Sequence, residues 1–145
     1  MYPMDPPKRA LFGFVAGAIA VLIFHQGAWA ALHLAGLMPP PYPMSPVPPF
    51  SVPLTVDFCF WGGVWGLLYG LALPKLTMPP WLSGLLLGVL AMLVLWFVVS
   101  PIKGRPIASG WVPRAMLNTL IIHGVWGIGV GLIMQLMSAR VPQRA

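Results

Sequence analysis

Apolar residues fill four long stretches of this chain, Ala10 to Met38, Leu54 to Leu73, Trp81 to Ser100 and Ala115 to Met137. Each is long enough to cross a hydrocarbon core about 30 Å thick as a helix. The pattern predicts an all-α membrane protein, a four-transmembrane-helix bundle that uses residues 1–145 as a single integral membrane domain. Polarity enters the apolar runs unevenly. His25, Gln26 and His33 interrupt the first span, and Asn118, Thr119, His123 and Gln135 the fourth, while Asp57 stands at the start of the second.

Small residues add a second pattern. At 100° per residue, Gly13, Gly17, Ala20, Gly27, Ala31 and Ala35 share a sector roughly 80° wide along the whole first span. Gly62, Gly66 and Gly70 supply a matching stripe on the second span, and Gly124, Gly127 and Gly131 one on the fourth. In lipid such stripes let helix backbones approach and gain dispersion contact. Val64-Trp65-Gly66 with Gly70-Leu71 recurs as Val125-Trp126-Gly127 with Gly131-Leu132, and the Gly13/Gly17 pair recurs as Gly84/Gly88. These matches predict two helical hairpins repeated in parallel orientation. Trp61, Trp65 and Tyr69, four residues apart on the second span, read as packing or an interfacial belt.

Composition agrees with a lipid-embedded chain: 59% of the 145 residues are hydrophobic and only 7% charged. The net charge of +6 is dispersed over loops and tails, which suits topology and lipid headgroups and gives no stripe for nucleic acid. Lys8, Arg9, Lys75, Arg140 and Arg144 fall on one side of the predicted bundle, and Lys103, Arg105 and Arg114 in the basic loop 101–114 on the other. The bias predicts both termini in the cytoplasm and leaves three cations outside, where they meet lipid phosphate or another anion. Lys8-Arg9, the apolar run to Phe24 and Ala28-Trp29-Ala30 imitate a secretory signal with its cleavage site. The run continues through Ala31, Leu32, Leu34, Ala35 and Leu37, so a retained first span is expected. Cys59, the single cysteine, reads as a packing residue.

The proline-rich outer loop 39–53 holds eight prolines between Pro39 and Pro53, which forbid helix and favour an extended strap. Met38, Tyr42, Met44, Val47 and Phe50 give the strap apolar teeth, so it is expected to lie across the bundle mouth or to dock on a partner.

Candidate chemistry comes down to the polar residues of spans one and four. At about 1.5 Å per residue, His25 lies about 22 Å from the inner end of its helix and His123 about 9 Å from the outer end of its own. The two imidazoles therefore share a level. Gln26, Asn118 and Asp57 form the rest of a polar cluster able to satisfy them. No nucleotide, metal or hydrolase motif accompanies these residues. The first expectation is accordingly a non-enzymatic accessory or scaffold subunit, with no cofactor, whose glycine faces and strap dock on a larger membrane complex or on another copy of the chain. One alternative is a small transporter or channel component with a polar path along His25, Gln26 and His123. Another is a b-type haem held by His25 or His33 and His123, with Lys103, Arg105 and Arg114 meeting the propionates.

Phe24-His25-Gln26, Met44-Ser45-Pro46-Val47-Pro48-Pro49-Phe50 and Phe60-Trp61-Gly62-Gly63-Val64-Trp65-Gly66 resemble a group of small four-span proteins of the bacterial inner membrane. The resemblance covers about the first half of the chain. It implies that location and carries no activity or functional residue with it.

Overall fold

Prolines punctuate the start of every long helix. In the computed structural model, which describes residues 4–139, four helices are long and apolar enough to span a membrane. They are α1 (Pro6–Leu34), α2 (Leu54–Lys75), α3 (Pro80–Ile102) and α4 (Pro113–Ala139). Three of them begin at a proline and α2 directly after Pro53, where the missing N–H costs nothing and the fixed φ already suits a helix. Asp5 caps α1 by accepting from the Lys8 N–H at 2.9 Å. Arg140 and Arg144, which entered the charge bias, lie outside the described residues.

The end of α1 does not fall at a break in hydropathy, whereas α3 ends at Ile102, two residues past the predicted Ser100. The first apolar run reaches Met38, yet α1 stops at Leu34 because Gly36 takes a left-handed φ of 72°. The Gly36 N–H then reaches the His33 carbonyl and the Leu37 N–H reaches that of Leu32, both at 2.9 Å, which closes the helix in a Schellman cap. α3 ends the same way. Gly104 has φ 66°, its N–H bonds Pro101 at 3.0 Å, and that of Arg105 bonds Ser100 at 2.8 Å.

The glycines define two matching hairpins. α1 lies on α2 so closely that a Cβ on Gly13 would overlap the Gly66 carbonyl, one on Gly17 the Gly62 carbonyl, and one on Gly70 the Arg9 carbonyl. α3 lies on α4 in the same register: Gly84 faces Gly127, Gly88 faces the His123 carbonyl, and Gly131 faces the Pro80 carbonyl. Each residue of the first set corresponds to one of the second in the repeat predicted from sequence. The hairpins join mainly through α1 and α4. There the Phe24 ring covers Gly129, the Trp126 indole donates to the Gly17 carbonyl at 3.2 Å, and Ala20, Val21, Val130 and Met134 are buried in one cluster.

The small-residue stripe of α1 is not used from end to end. Nothing lies within 4 Å of a Cβ built on Gly27. The reason is a π turn at Val21–His25, which adds residues to the turn and rotates everything beyond it relative to a regular 100° pitch. α3 also carries a π turn, Leu95–Val99, a little further along its helix than the repeat register would place it. Between the terminal ends the helices are locked by glycine; beyond the π turns the two hairpins leave space between them.

Candidate functional site

That space is a chamber of about 440 Å³, within the roughly 300–1,000 Å³ range of small-molecule sites. All four helices line it. His25 and Trp29 come from α1, Trp61 and Trp65 from α2, Ala91 and Leu95 from α3, and His123 and Trp126 from α4. Asp57, Lys103 and Arg105 also reach it, as do Met38 and Val47 from the loop between α1 and α2. The chamber is therefore largely aromatic and apolar, with charges contributed from the loop-side ends of α2 and α3. Trp61 and Trp65, expected as packing or interfacial residues, also line it; Trp65 packs against the core and Trp61 stays half exposed. Tyr69, in the same row, is buried and shares a 2.8 Å hydrogen bond with Ser83 instead.

His25 and His123 come together as the count of helical rise predicts. Their ring centroids are 5.7 Å apart and the planes meet edge to face at 71°. Phe58 and Trp29 flank His25 at 5.3 and 6.1 Å between centroids. Each imidazole commits its Nδ1 atom to a neighbour. Nδ1 of His123 lies 3.0 Å from the Thr119 carbonyl one turn earlier; a carbonyl only accepts, so this nitrogen carries the proton. Nδ1 of His25 lies 3.3 Å from Nε2 of Gln26. An amide nitrogen only donates, so this Nδ1 accepts and the His25 proton sits on Nε2.

The Gln26 amide is held in that sense by the loop. Its Oε1 accepts from the Tyr42 backbone N–H at 2.6 Å, which leaves Nε2 for His25. Gln26 has no exposed surface. The Tyr42 hydroxyl in turn donates to the Leu22 carbonyl on the π turn at 2.9 Å. These two bonds hold Tyr42 at a left-handed φ of 55°, a conformation that costs a non-glycine residue roughly 1–2 kcal/mol.

The strap is fastened along its length to the protein's own bundle. Trp29 Nε1 donates to the Pro39 carbonyl and His33 Nδ1 to that of Met38, both at 2.9 Å. Asn118 Nδ2 donates to the Leu37 carbonyl at 3.3 Å, and Thr55 Oγ1 to that of Pro43 at 2.8 Å. A two-residue antiparallel pairing, Pro46–Val47 (β1) with Val52–Pro53 (β2), closes the loop. Phe50, at its tip, is 83% exposed.

Of the residues singled out from sequence, His25, His123, Asp57, Lys103 and Arg105 therefore meet at one chamber, with Gln26 directly behind His25. His33 and Asn118 serve the strap and do not line the chamber. Arg114, in the first turn of α4, is exposed and also stands apart from it. Sequence reasoning missed Tyr42, the residue that orients Gln26. Its only signal was a lone hydrogen-bonding aromatic among prolines. Among the described residues no group of three or more His, Cys, Asp or Glu side chains converges as a metal site would require. Comparison with protein-family models, with curated proteins and with solved structures finds no match to the chain, so the chamber and its hydrogen bonds carry the functional reading.

Proposed function

We propose that this protein is a multi-pass component of the bacterial inner membrane, both termini cytoplasmic, that receives a small molecule in the chamber between its two hairpins. The observation that carries the reading is the chamber itself, where two histidines and four tryptophans from three helices face one space with Lys103 and Arg105. Buried polar residues at membrane depth ordinarily face a bundle interior or cavity and mark a path or a binding site. Two features that suggested a purely docking role are used within the chain. The glycine faces are consumed by α1–α2 and α3–α4 contact, and the strap is bonded to α1 and α4.

Haem ligation by His25 and His123 would ask for an Nε2 lone pair from each ring. The His25 proton sits there, so it would have to move to Nδ1, where it would face the Gln26 amide N–H and end that hydrogen bond. The geometry favours a ligand bound by hydrogen bonds and apolar contact over one bound through a metal.

Tryptophan fluorescence tests the reading. Bromobenzene, a heavy-atom quencher, is titrated into the detergent-purified protein and into the variant Ala91→Phe, which places a ring in the chamber. The expected result is saturable quenching in the native chain and only the linear quenching of micelle partition in the variant. Linear quenching in both would overturn the proposal. Reporter fusions at Gly104 and at the N-terminus test the sidedness, with the loop expected outside.

A further inference from the structure

The two imidazoles offer the chamber unlike atoms. Nδ1 of His25 is an acceptor for Gln26, so its Nε2 bears a hydrogen. Nδ1 of His123 donates to Thr119, so its Nε2 bears a lone pair. The rings make no hydrogen bond to one another, although their centroids are 5.7 Å apart. One donor and one acceptor, on rings that line the same aromatic chamber, thus lack each other as partners. An occupant without polar atoms would leave both unmade, which is costly in surroundings of low polarity.

We propose that His25 and His123 form a complementary donor–acceptor pair that recognises an uncharged amide-type group, a carbonyl oxygen beside an N–H, on a ligand with an apolar body. The carbonyl accepts from Nε2–H of His25 and the ligand N–H donates to Nε2 of His123, with hydrogen bonds of ordinary length near 2.9 Å. A carboxylic acid fits less well, because its ionised form at neutral pH has no hydrogen for His123. A simple ketone or ether leaves His123 unpaired. Trp29, Phe58 and Trp126 supply surface for the apolar body, and the chamber volume admits a ring of that size. Gln26 is a positioning residue here: it sets which nitrogen of His25 carries the proton, and Tyr42 sets Gln26.

The inference rests on the chamber being a ligand site, and its test separates the two. Benzamide, N,N-dimethylbenzamide and ethylbenzene are titrated calorimetrically into the purified full-length protein, with empty micelles as the blank. They share a ring but present, in order, acceptor plus donor, acceptor alone, and neither. Benzamide is expected to bind about tenfold more tightly than its dimethyl analogue, the scale of one buried hydrogen bond, and ethylbenzene more weakly still. In His123→Phe the benzamide preference should fall to about unity while N,N-dimethylbenzamide still binds. Independently of any variant, ¹⁵N spectra of the histidine-labelled native protein should show His25 protonated on Nε2 and His123 on Nδ1, and Gln26→Leu should release His25 to a mixture of both forms. Equal binding of the three probes, or the same tautomer at His25 and His123, overturns the pairing while leaving the chamber as a site. Absence of saturable binding by all three overturns both.

Discussion

Alanine at Gly66 and alanine at Gly27 should move stability in opposite directions, although both are glycines inside apolar helices. At Gly66 a new Cβ would overlap the Gly13 carbonyl and lie 2.9 Å from the Gly17 Cα. Carbon atoms pack best at about 3.5–4.0 Å, so α1 and α2 would have to part by roughly 1 Å. Backbone cannot yield as a flexible side chain does. A gap of that size forfeits about a quarter to a half of the dispersion attraction for the atoms involved, and overpacking of this kind costs about 1–3 kcal/mol. The better helix propensity of alanine returns about 1 kcal/mol. Gly66→Ala should therefore destabilise by up to about 2 kcal/mol. Gly27 sits on an exposed helix face with nothing within 4 Å of the added methyl, so only the propensity gain remains, up to about 1 kcal/mol of stabilisation. Thermal unfolding in mild detergent, followed by far-ultraviolet circular dichroism, compares the two variants with the native chain. Gly127→Ala serves as the repeat partner, and because it acts in the other hairpin its effect should add to that of Gly66→Ala. If Gly66→Ala and Gly27→Ala shift the midpoint equally, the close glycine contact is not what holds the hairpin together.

Three further outcomes follow from the loop and the chamber. Tyr42→Phe removes the hydroxyl bond to Leu22 and should cost about 1 kcal/mol, with faster hydrogen exchange confined to the strap; unchanged exchange there would refute the anchoring role. Trp126→Phe deletes the donor to Gly17 that ties α4 to α1 and should cost about 0.6–2 kcal/mol, measured by the same thermal assay, with helix content preserved. Replacing both Lys103 and Arg105 by alanine should slow association of an anionic probe such as 4-bromobenzoate and weaken its salt dependence, while bromobenzene quenching stays as in the native protein.

The four spans could be read from hydropathy because twenty apolar residues need one solvent, and the matched level of His25 and His123 followed from helical rise alone. The glycine registers were legible for the same reason: Gly13, Gly17, Gly66 and Gly70 lie on faces that regular helices must present. Legibility failed where a helix departs from regularity. The π turn at Val21–His25 takes Gly27 off the packing face, and no residue in that turn announces it. The helix stop at Gly36 depends on one left-handed glycine inside an apolar run. The unlike roles of the two imidazoles were beyond reach, because they depend on an amide whose orientation is set by the backbone of a residue sixteen positions later.

The duplicated glycine ladder bears on how the chain can be made. Each hairpin seats its own closest helix contact without help from the other, and the segment joining them, Leu76 to Pro79, is short and lies on the side of the termini. The protein can thus enter the bilayer as two successive pairs, the first complete in its packing before the second leaves the ribosome. The chamber is then the last part to exist, created when α4 arrives against α1 and brings His123 to His25. Severing the chain between Leu76 and Pro79 and supplying the halves together is the form in which this order of assembly becomes visible.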